Sequence, residues 1–417
     1  MASDGCQTPE WTGRPLSHLF YAPNFRSQPS QSYAQQREQQ SPGTGGQAPA
    51  GGNGSVDFHY SKIKGAWFGP APTGFQQGST GPSQWEKAEA EREARLKAGV
   101  QREADTVLLR GGAKMPLVGL GTYALTQASA VTKAIELGYR SIDCAMVYGN
   151  EAMVGEGIKA AIAAGTVARS DLFVTSKLWN DCKHSAEEIE ATCRKSIADL
   201  GVEYLDLYLV HWPLRWAKGQ AIPTDSTVPA EDTSALDVVQ TWKAMEALVE
   251  KGLVKSIGVS NHSLSQVEAI LAECKVHPVC NQIELHPMLP RRKMVGVCLR
   301  KGVQCVAYSP VARNRPEIMD TPQVQTVAKE TGKTPAQVVL KWNVQRGVPV
   351  IPKAGSEEHI KENIDMFSWR LSPAQKSMLD ELSTKPPLMI VDHAWSLPCF
   401  ENFEGGGAGK ASEVFKY

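Results

Sequence analysis

Between about residues 107 and 400 the chain alternates strand-like with helix-like segments, and this alternation limits the fold more than any other feature. The helix-like segments, such as SAVTKAIELG and VVQTWKAMEALVEKG, are amphipathic, and several end in glycine, as helix C-termini prefer. The strand-like segments are rich in β-branched and aromatic residues; in chain order they are LVGLGT, YRSIDCA, LFVTSKL, LDLYLVHW, VKSIGVSN, VCNQIEL, VQCVAYSP and VPVIPKAG. Eight strands with a helix after nearly every one predict an α/β fold, a closed (β/α)8 TIM barrel rather than an open doubly wound sheet.

Three consecutive strand-like segments end in polar residues at equal intervals. Asp143, Lys177 and His211 are separated by two gaps of 34 residues, and Tyr148 closely follows the first of them. In a repeating strand–helix array, one repeat later is the next strand, so equal spacing places these side chains on one rim of the sheet. Taken singly, each residue has a purely structural explanation, such as a buried ion pair or a core histidine. Their joint placement at the carboxyl ends of neighbouring parallel strands instead predicts an active site.

Composition argues against several other classes of protein. The 44 Lys and Arg residues balance the 44 Asp and Glu residues, so no net charge would attract nucleic acid or an anionic membrane. The nine cysteines show no CxxC pair and no metal-ligand spacing, which predicts free thiols, a reducing compartment and no metal site. The first residues lack the pattern of a secretory signal, and no apolar run approaches the roughly 20 residues of a membrane helix. The sequence therefore predicts a soluble, cytoplasmic protein.

Four regions of the chain differ in composition. Residues 1–83 are rich in Gly, Pro, Gln and Ser and predict a disordered tail. Scattered aromatics in this tail, such as Trp11, Phe20 and Trp67, would also suit a segment that docks on a partner protein. Residues 84–105 predict an exposed, charged helix that leads into the barrel. Residues 106–400 form the predicted barrel, which begins with a β-hairpin in VLLRGGAKMPLV, and residues 401–417 form a flexible tail.

Motifs at the strand ends resemble those of the aldo-keto reductases, in order and with compatible spacing across residues 107–400. GYRSIDCAMVYGNE, FVTSKLW and LYLVHWP are similar to the three catalytic-strand motifs of that family. GLGTY, GVSN, NQIELHP, AYSP and IPKAGSEEHIKEN are similar to its remaining strand ends. The resemblance implies a barrel that binds NADPH without a Gly-x-Gly-x-x-Gly unit and reduces an aldehyde or ketone by hydride transfer.

The resemblance also implies a role for each polar residue at the rim. Tyr148 would be the general acid, and Lys177 beside it would lower the pKa of its phenol. Asp143 would pair with the lysine, and His211 would orient the substrate carbonyl. The expected contacts to the nicotinamide, its ribose and the pyrophosphate are Thr122, Ser260, Asn261, Gln282, Tyr308 and Ser309. Those expected around the adenosine 2′-phosphate and the adenine are Lys353, Ser356, His359, Glu362 and Asn363. Thr122 and Gln282 could instead satisfy backbone groups.

The chain departs from the family pattern at three places. His359 stands where an arginine is usual and Ala354 where a serine is common, so we hypothesise that NADPH is preferred over NADH by less than usual, and more strongly at low pH. The segment SPVARNRPEIMDTPQ is shorter than in mammalian aldose reductases, which predicts weaker closure over the cofactor. Tyr123 replaces a tryptophan, and with Trp179 and Trp212 it would still form an aromatic pocket for a small-molecule carbonyl.

Two other functions remain open from the sequence. A nucleotide-binding barrel could serve as a regulatory subunit, as do the potassium-channel β subunits of the same superfamily. Alternatively, the N-terminal tail could dock the domain on a larger assembly, such as the cytoskeleton. The complete set of four catalytic positions favours the enzyme, because a scaffold has no physical need for four mutually tuned groups.

Overall fold

A computed structural model describes residues 105–220 and 231–390 of the 417-residue chain. The predicted tails at residues 1–83 and 401–417 lie outside the described residues. So do the predicted helix at 84–105, except for its last residue, and the end of the predicted barrel at 391–400. The docking role of the tail and the boundaries of the four regions therefore stay predictions.

A β-hairpin precedes the barrel, as the sequence predicts. Strand β1 (Thr106–Leu108) pairs antiparallel with β2 (Lys114–Pro116). Between them, Gly111 and Gly112 have φ of 97° and 93°, a backbone region that is open to glycine and strained for other residues. The Gly-Gly pair therefore specifies where the chain reverses.

Seven parallel strands follow in a single sheet, ordered as they occur in the chain. They are β3 (Leu120–Gly121), β4 (Ser141–Asp143), β5 (Phe173–Leu178), β6 (Leu205–Val210), β7 (Val254–Ser260), β8 (Cys280–Glu284) and β9 (Gln304–Tyr308). Almost every strand residue is buried on both faces, as parallel strands between a filled interior and an outer layer of helices must be.

The predicted eighth strand closes the sheet into a barrel. Val350 bridges Ala307 on one side and Val118 on the other, and Gly121 bridges Lys353. These contacts stay isolated bridges because Pro349 and Pro352 have no N–H to donate to a ladder. Their carbonyls still accept, from the N–H groups of Ala307 and Gly121 at 2.7 and 3.0 Å. The (β/α)8 barrel is thus confirmed, and its eighth strand pairs less regularly than the others.

Helices surround the barrel and match the predicted amphipathic segments. Those described are α1 (Ala128–Glu136), α2 (Glu151–Ala163), α3 (Ala186–Leu200), α4 (Val238–Glu250), α5 (Leu264–Glu273), α6 (Arg292–Arg300), α7 (Pro316–Met319), α8 (Pro322–Thr331), α9 (Pro335–Val344), α10 (Glu357–Ile364) and α11 (Pro373–Asp380). Side-chain caps specify several starts; Ser185, for example, accepts from the Glu188 amide. No helix among the described residues is long and apolar enough to cross a membrane. The seven cysteines of these ranges are free thiols, as predicted.

Gly121 lies at the seam that closes the barrel, and this gives a stability prediction. A Cβ on Gly121 would lie 2.6 Å from the backbone oxygen of Ile351, across the seam between β3 and the eighth strand. We expect Gly121→Ala to lower the free energy of unfolding by about 1–3 kcal/mol, because neither backbone can yield without opening the seam. Urea unfolding followed by circular dichroism measures the change.

Gly296→Ala is the matched control for the same substitution in a helix. Its new methyl group would meet only the flexible Arg300 side chain, at 3.5 Å. The free energy of unfolding of that variant should rise by about 0.5–1 kcal/mol, because alanine loses less conformational entropy than glycine when a helix forms. Equal stability of the two variants would show that the seam at Gly121 is looser than the contact implies.

Candidate active site

The barrel brings the four predicted rim residues together. Asp143 ends β4, Lys177 lies near the end of β5, and His211 follows β6. The register pairs Asp143 with Thr175 and Lys177 with Leu209. Lys177 therefore lies two positions after the partner of Asp143, and His211 lies two positions after the partner of Lys177. An even stagger keeps all three side chains on the same face, and it follows the tilt of the strands in a barrel. The equal spacing of 34 residues therefore marks one mouth of the barrel, although not one level of the ladder.

A buried ion pair lies at the centre of the site. The Lys177 ammonium contacts an Asp143 carboxylate oxygen, and both side chains are almost fully buried. The other carboxylate oxygen accepts from the Gln282 amide at 2.7 Å. Lys177 also donates to the carbonyl of Cys144 at 2.7 Å. The donors around the Asp143 carboxylate compensate for its burial. An isolated charge at this place would lack that compensation.

Tyr148 stands next to this pair, at the end of a 3-10 turn (Met146–Tyr148). Its hydroxyl is 3.5 Å from the Lys177 Nζ. Burial raises the pKa of Tyr148 above its ordinary value, although the Lys177 charge acts to lower it. Burial also disfavours the charged form of Lys177, but Asp143 and Tyr148 outweigh it and raise the pKa of the lysine. The prediction that Lys177 brings the phenol's pKa below its ordinary value is wrong, because burial outweighs the effect of the lysine charge. The tyrosine therefore stays protonated and the lysine stays charged.

His211 completes the group as a neutral imidazole. Burial lowers its pKa well below the ordinary value, and the nearby Lys177 and Lys183 charges act in the same direction. The ring packs edge-on against Tyr148, with centroids 5.9 Å apart, and against Trp179 at 5.0 Å. Its Nδ1 has no hydrogen-bond partner among the described residues. A neutral imidazole has one N–H to donate, and aromatic neighbours fix its orientation.

An aromatic wall borders the four residues. Trp179, Trp212 and Trp216 form a buried cluster of their own, and Trp179 meets Trp216 edge-on with centroids 5.6 Å apart. Tyr123 meets Tyr148 edge-on, with centroids 5.2 Å apart. Burial raises the pKa of Tyr123 to about 12, so it too stays protonated. Two of the predicted pocket residues thus belong to the tryptophan cluster, and the third contacts Tyr148.

The C-terminal part of the described chain reaches this wall. Met389 packs against the tryptophan cluster. The next amide, that of Ile390, donates to a carboxylate oxygen of the buried Glu284 at 2.6 Å. The stretch that begins at Lys385 therefore borders the site as far as it is described.

Five of the residues predicted to contact the cofactor lie on β7, β8 and β9 or directly after them. Ser260 donates to the Gln282 carbonyl at 2.7 Å, and Asn261 donates to the His211 carbonyl at 3.1 Å. The Tyr308 hydroxyl donates to Asn261 Oδ1 at 2.9 Å. Asn261 and Ser309 have φ of 60° and 44°, a left-handed conformation that costs non-glycine residues about 1–2 kcal/mol. Ser260, Asn261, Gln282 and Tyr308 form one connected network next to His211, and Ser309 directly follows Tyr308 in the chain.

The sixth such residue, Thr122, donates to the Asp143 carbonyl at 2.9 Å and thus satisfies a backbone group. Gln282 differs from Thr122, since its side-chain amide donates to the Asp143 carboxylate. Both residues thus position Asp143 within the protein.

The remaining predicted cofactor residues lie on the last barrel segment and on α10. Lys353 is exposed and forms no ion pair with any residue in the described ranges. Ser356 caps α10 by accepting from the His359 amide at 3.3 Å, and both side chains are exposed. Glu362 and Asn363 lie on the same helix, the first partly exposed and the second buried. Lys353 and the helix start suit a phosphate, whereas the first-turn Glu357 and Glu358 oppose one.

Two contributions to the site escape a reading of the sequence. Trp216 belongs to the tryptophan wall, and its spacing in HWPLRW is the only signal for it. Lys183 is almost fully buried beneath that wall, although a lysine in a polar turn is ordinarily expected at the surface. Both depend on how two loops fold against each other.

Comparisons with known proteins agree with this geometry. A sequence model of the aldo/keto reductase family matches residues 117–384. Aldo-keto reductase family 1 member A1 of Rattus norvegicus is 42% identical over 308 residues, which are 69% of this chain and 94% of the rat protein. The Homo sapiens protein of the same name is 41% identical over 310 residues, with the same coverage.

A solved structure is also similar. The aldose reductase from Schistosoma japonicum is 38% identical, with a TM-score of 0.63 over 67% of this chain and 92% of the other. The family match spans both the predicted catalytic strands and the predicted cofactor positions. The chain therefore belongs to the aldo/keto reductase family and is an NAD(P)H-dependent oxidoreductase.

Proposed function

We propose that this protein reduces an aldehyde or ketone to an alcohol with NADPH, with Tyr148 as the proton donor. The observation that carries the proposal is the contact chain from Asp143 through Lys177 to the Tyr148 hydroxyl. A protonated phenol and a fixed ammonium at the mouth of a barrel suit a reaction in which negative charge develops on a carbonyl oxygen. A purely structural ion pair would not need the tyrosine.

In this mechanism the chain's own residues handle the proton. The Tyr148 hydroxyl donates to the carbonyl oxygen, and the Lys177 charge stabilises the phenolate that remains. Asp143 holds the lysine in place and keeps it charged. His211, neutral and fixed by its aromatic neighbours, donates a hydrogen bond that orients the carbonyl. NADPH, when bound, supplies the hydride.

The residues at the mouth could hold that cofactor. Tyr308, partly exposed at the end of β9, offers a flat ring for the nicotinamide. Ser260, Asn261, Ser309, Thr122 and Gln282 would contribute polar groups around it. Lys353, Ser356 and His359 would contact the 2′-phosphate, with Glu362 and Asn363 near the adenine. The ammonium of Lys353, which forms no ion pair within the described ranges, is the strongest argument for a phosphate there.

The substrate would lie between Tyr123 and the tryptophan wall. Trp179, Trp212 and Trp216 form an apolar cluster, and the imidazole packs between Trp179 and the proton donor. This combination suits a carbonyl compound with an apolar or aromatic body. The relatives named aldose reductase and aldo-keto reductase act as precedents for sugar and aldehyde substrates.

Oxidation of NADPH by the purified full chain tests the proposal. We expect turnover with at least some members of a panel of aliphatic aldehydes, aromatic aldehydes, aldoses and ketones. Tight NADPH binding without turnover on any of them would contradict a reductase function and favour a regulatory role for the barrel.

A prediction on cofactor choice follows from His359. We expect His359→Arg to raise the affinity for NADPH over NADH by about tenfold, because a guanidinium binds phosphate through two parallel hydrogen bonds. Quenching of protein fluorescence gives both dissociation constants without turnover. Lys361→Arg, an exposed substitution on the same helix, is the control and should leave the ratio unchanged. An unchanged ratio in His359→Arg would mean that the phosphate does not reach α10.

A further inference from the structure

Lys183 is an unusual lysine in the turn after β5. Only 2% of its surface is exposed. Its ammonium donates to the backbone carbonyls of Trp212 at 2.5 Å and Leu214 at 2.9 Å. Lysine is rarely buried to this extent, because its ammonium is strongly hydrated. The two carbonyls are therefore what holds this cation inside the protein.

No carboxylate forms an ion pair with Lys183 in the part of the chain that the structure describes. Asp181 and Cys182 precede it, Arg215 lies on the facing segment, and burial lowers the pKa of Lys183 to about 7. A buried cation without an ion pair is unfavourable for stability. Stability alone does not explain a lysine at this position. An explanation must come from the segment that its ammonium holds.

That segment carries the tryptophan wall. Trp212 and Leu214 flank Pro213, in a stretch without regular secondary structure between β6 and α4. The same turn makes a second connection, since the Asn180 carbonyl accepts from the Trp216 amide at 3.1 Å. The chain there lacks a ladder or helix of its own. The side chain of Lys183 and the backbone of Asn180 therefore help to hold it in place, together with the Arg215 carbonyl, which accepts from the Asp232 amide at 3.0 Å. The wall thus rests on the turn after β5.

The turn after β5 also secures the far end of the same loop. The Lys183 carbonyl accepts from the Leu236 amide at 2.8 Å. The neighbouring His184 ring contacts Asp232 through Nε2 and Glu188 through Nδ1, each at 3.1 Å. The ammonium of Lys183, by contrast, reaches Trp212, the residue next to His211. Loss of the ammonium should therefore act mainly on the wall.

We propose that Lys183 is a positioning residue that sets the substrate range of the enzyme by fixing the Trp212–Trp216 segment as one wall of the carbonyl site. The inference rests on the carbonyl reduction proposed above and deepens it. Lys183 touches no reacting atom in this account. It acts through the backbone carbonyls of Trp212 and Leu214.

Lys183→Met in the full chain tests the inference, since methionine keeps much of the side-chain volume and removes the donors. For an aromatic aldehyde that spans the wall, we expect KM to rise about tenfold, as the loss of one or two hydrogen bonds allows. We expect kcat to change by less than about twofold, because the proton donor is untouched. KM for a two- or three-carbon aldehyde, too short to reach the wall, should stay the same.

Lys341→Met is the matched control. Lys341 is also fully buried and donates to a backbone carbonyl, that of Met366, at 2.6 Å. It lies on α9, whose described contacts do not include the tryptophan wall. This variant should lose thermal stability and keep the ratio of the two KM values. A ratio that shifts equally in both variants would assign the effect to general loosening and overturn the inference.

Hydrogen exchange gives a reading that does not depend on turnover. Amides of peptides covering residues 212–220 should exchange at least about fivefold faster in Lys183→Met than in wild type. In Lys341→Met their exchange rate should equal that of the wild type. Should the methionine variant fail to fold, Lys183→Gln, which can still donate to a carbonyl, should show the same changes at smaller size. Wild-type protein without carbonyl turnover would refute the proposed function alone, and exchange would still decide the role of Lys183. Unchanged exchange in both Lys183 variants would overturn the inference.

Discussion

Tyr148→Phe should lower kcat/KM for carbonyl reduction by about a thousandfold, within the range of 10²–10⁴ that a positioned general acid contributes. The substitution removes only the hydroxyl that stands 3.5 Å from the Lys177 ammonium. The ring contacts with Tyr123 and His211 remain available. We therefore expect NADPH affinity and melting temperature to stay close to wild type. Steady-state NADPH oxidation measures kcat/KM, fluorescence titration measures the NADPH affinity, and thermal unfolding measures the melting temperature.

Tyr204→Phe is the control for this loss. Tyr204 precedes β6 at the other end of the barrel, where the Arg169 guanidinium lies 4.1 Å from its ring centroid. Loss of its hydroxyl should leave the rate unchanged. A Tyr148→Phe variant that retains most of the wild-type rate would assign the proton to another donor.

The pKa of Tyr148 adds a pH profile to the same experiment. Burial keeps that pKa above its ordinary value of 10.0, so the group holds its proton throughout the neutral range. With the donor form saturated, kcat for reduction should stay level from about pH 6 to 9 and fall only as the proton is lost at higher pH. A decline that begins near pH 7 would point to a different titrating group.

Lys177→Met should be the most destabilising substitution in the site. It leaves the Asp143 carboxylate buried without its cation, and breaking a buried ion pair from one side costs about 3–5 kcal/mol. We also expect kcat to collapse, because the charge that stabilises the phenolate is gone. Urea unfolding measures the first effect and NADPH oxidation the second.

A double variant separates stability from chemistry. Asp143→Asn combined with Lys177→Met removes both charges, so much of the lost stability should return while the rate stays low. Lys195→Met is the surface control, since its ion pair with Asp199 is largely exposed and contributes little. If Lys177→Met unfolds at the same urea concentration as Lys195→Met, the central pair is more hydrated than its burial implies.

Much of the fold followed from periodicity. The eight strand-like segments were all predicted, because burial on both faces of a parallel sheet requires continuous apolar runs. The amphipathic segments named as helices were predicted as well. The eighth strand showed the limit of that reasoning. Pro349 and Pro352 break its ladder into isolated bridges, and only the neighbouring strands on both sides reveal that it still closes the barrel.

The candidate site divides in the same way. The sequence by itself determined that Asp143, Lys177 and His211 meet at one mouth, since a regular repeat converts equal spacing into neighbouring strand ends. Tertiary structure alone decided that burial outweighs Lys177 in the pKa of Tyr148, that Gln282 holds Asp143, and that Lys183 lies beneath the tryptophan wall. These outcomes depend on desolvation and on contacts between loops. Neither desolvation nor contacts between loops repeat regularly along the chain. The sequence therefore carries no local signal for these outcomes.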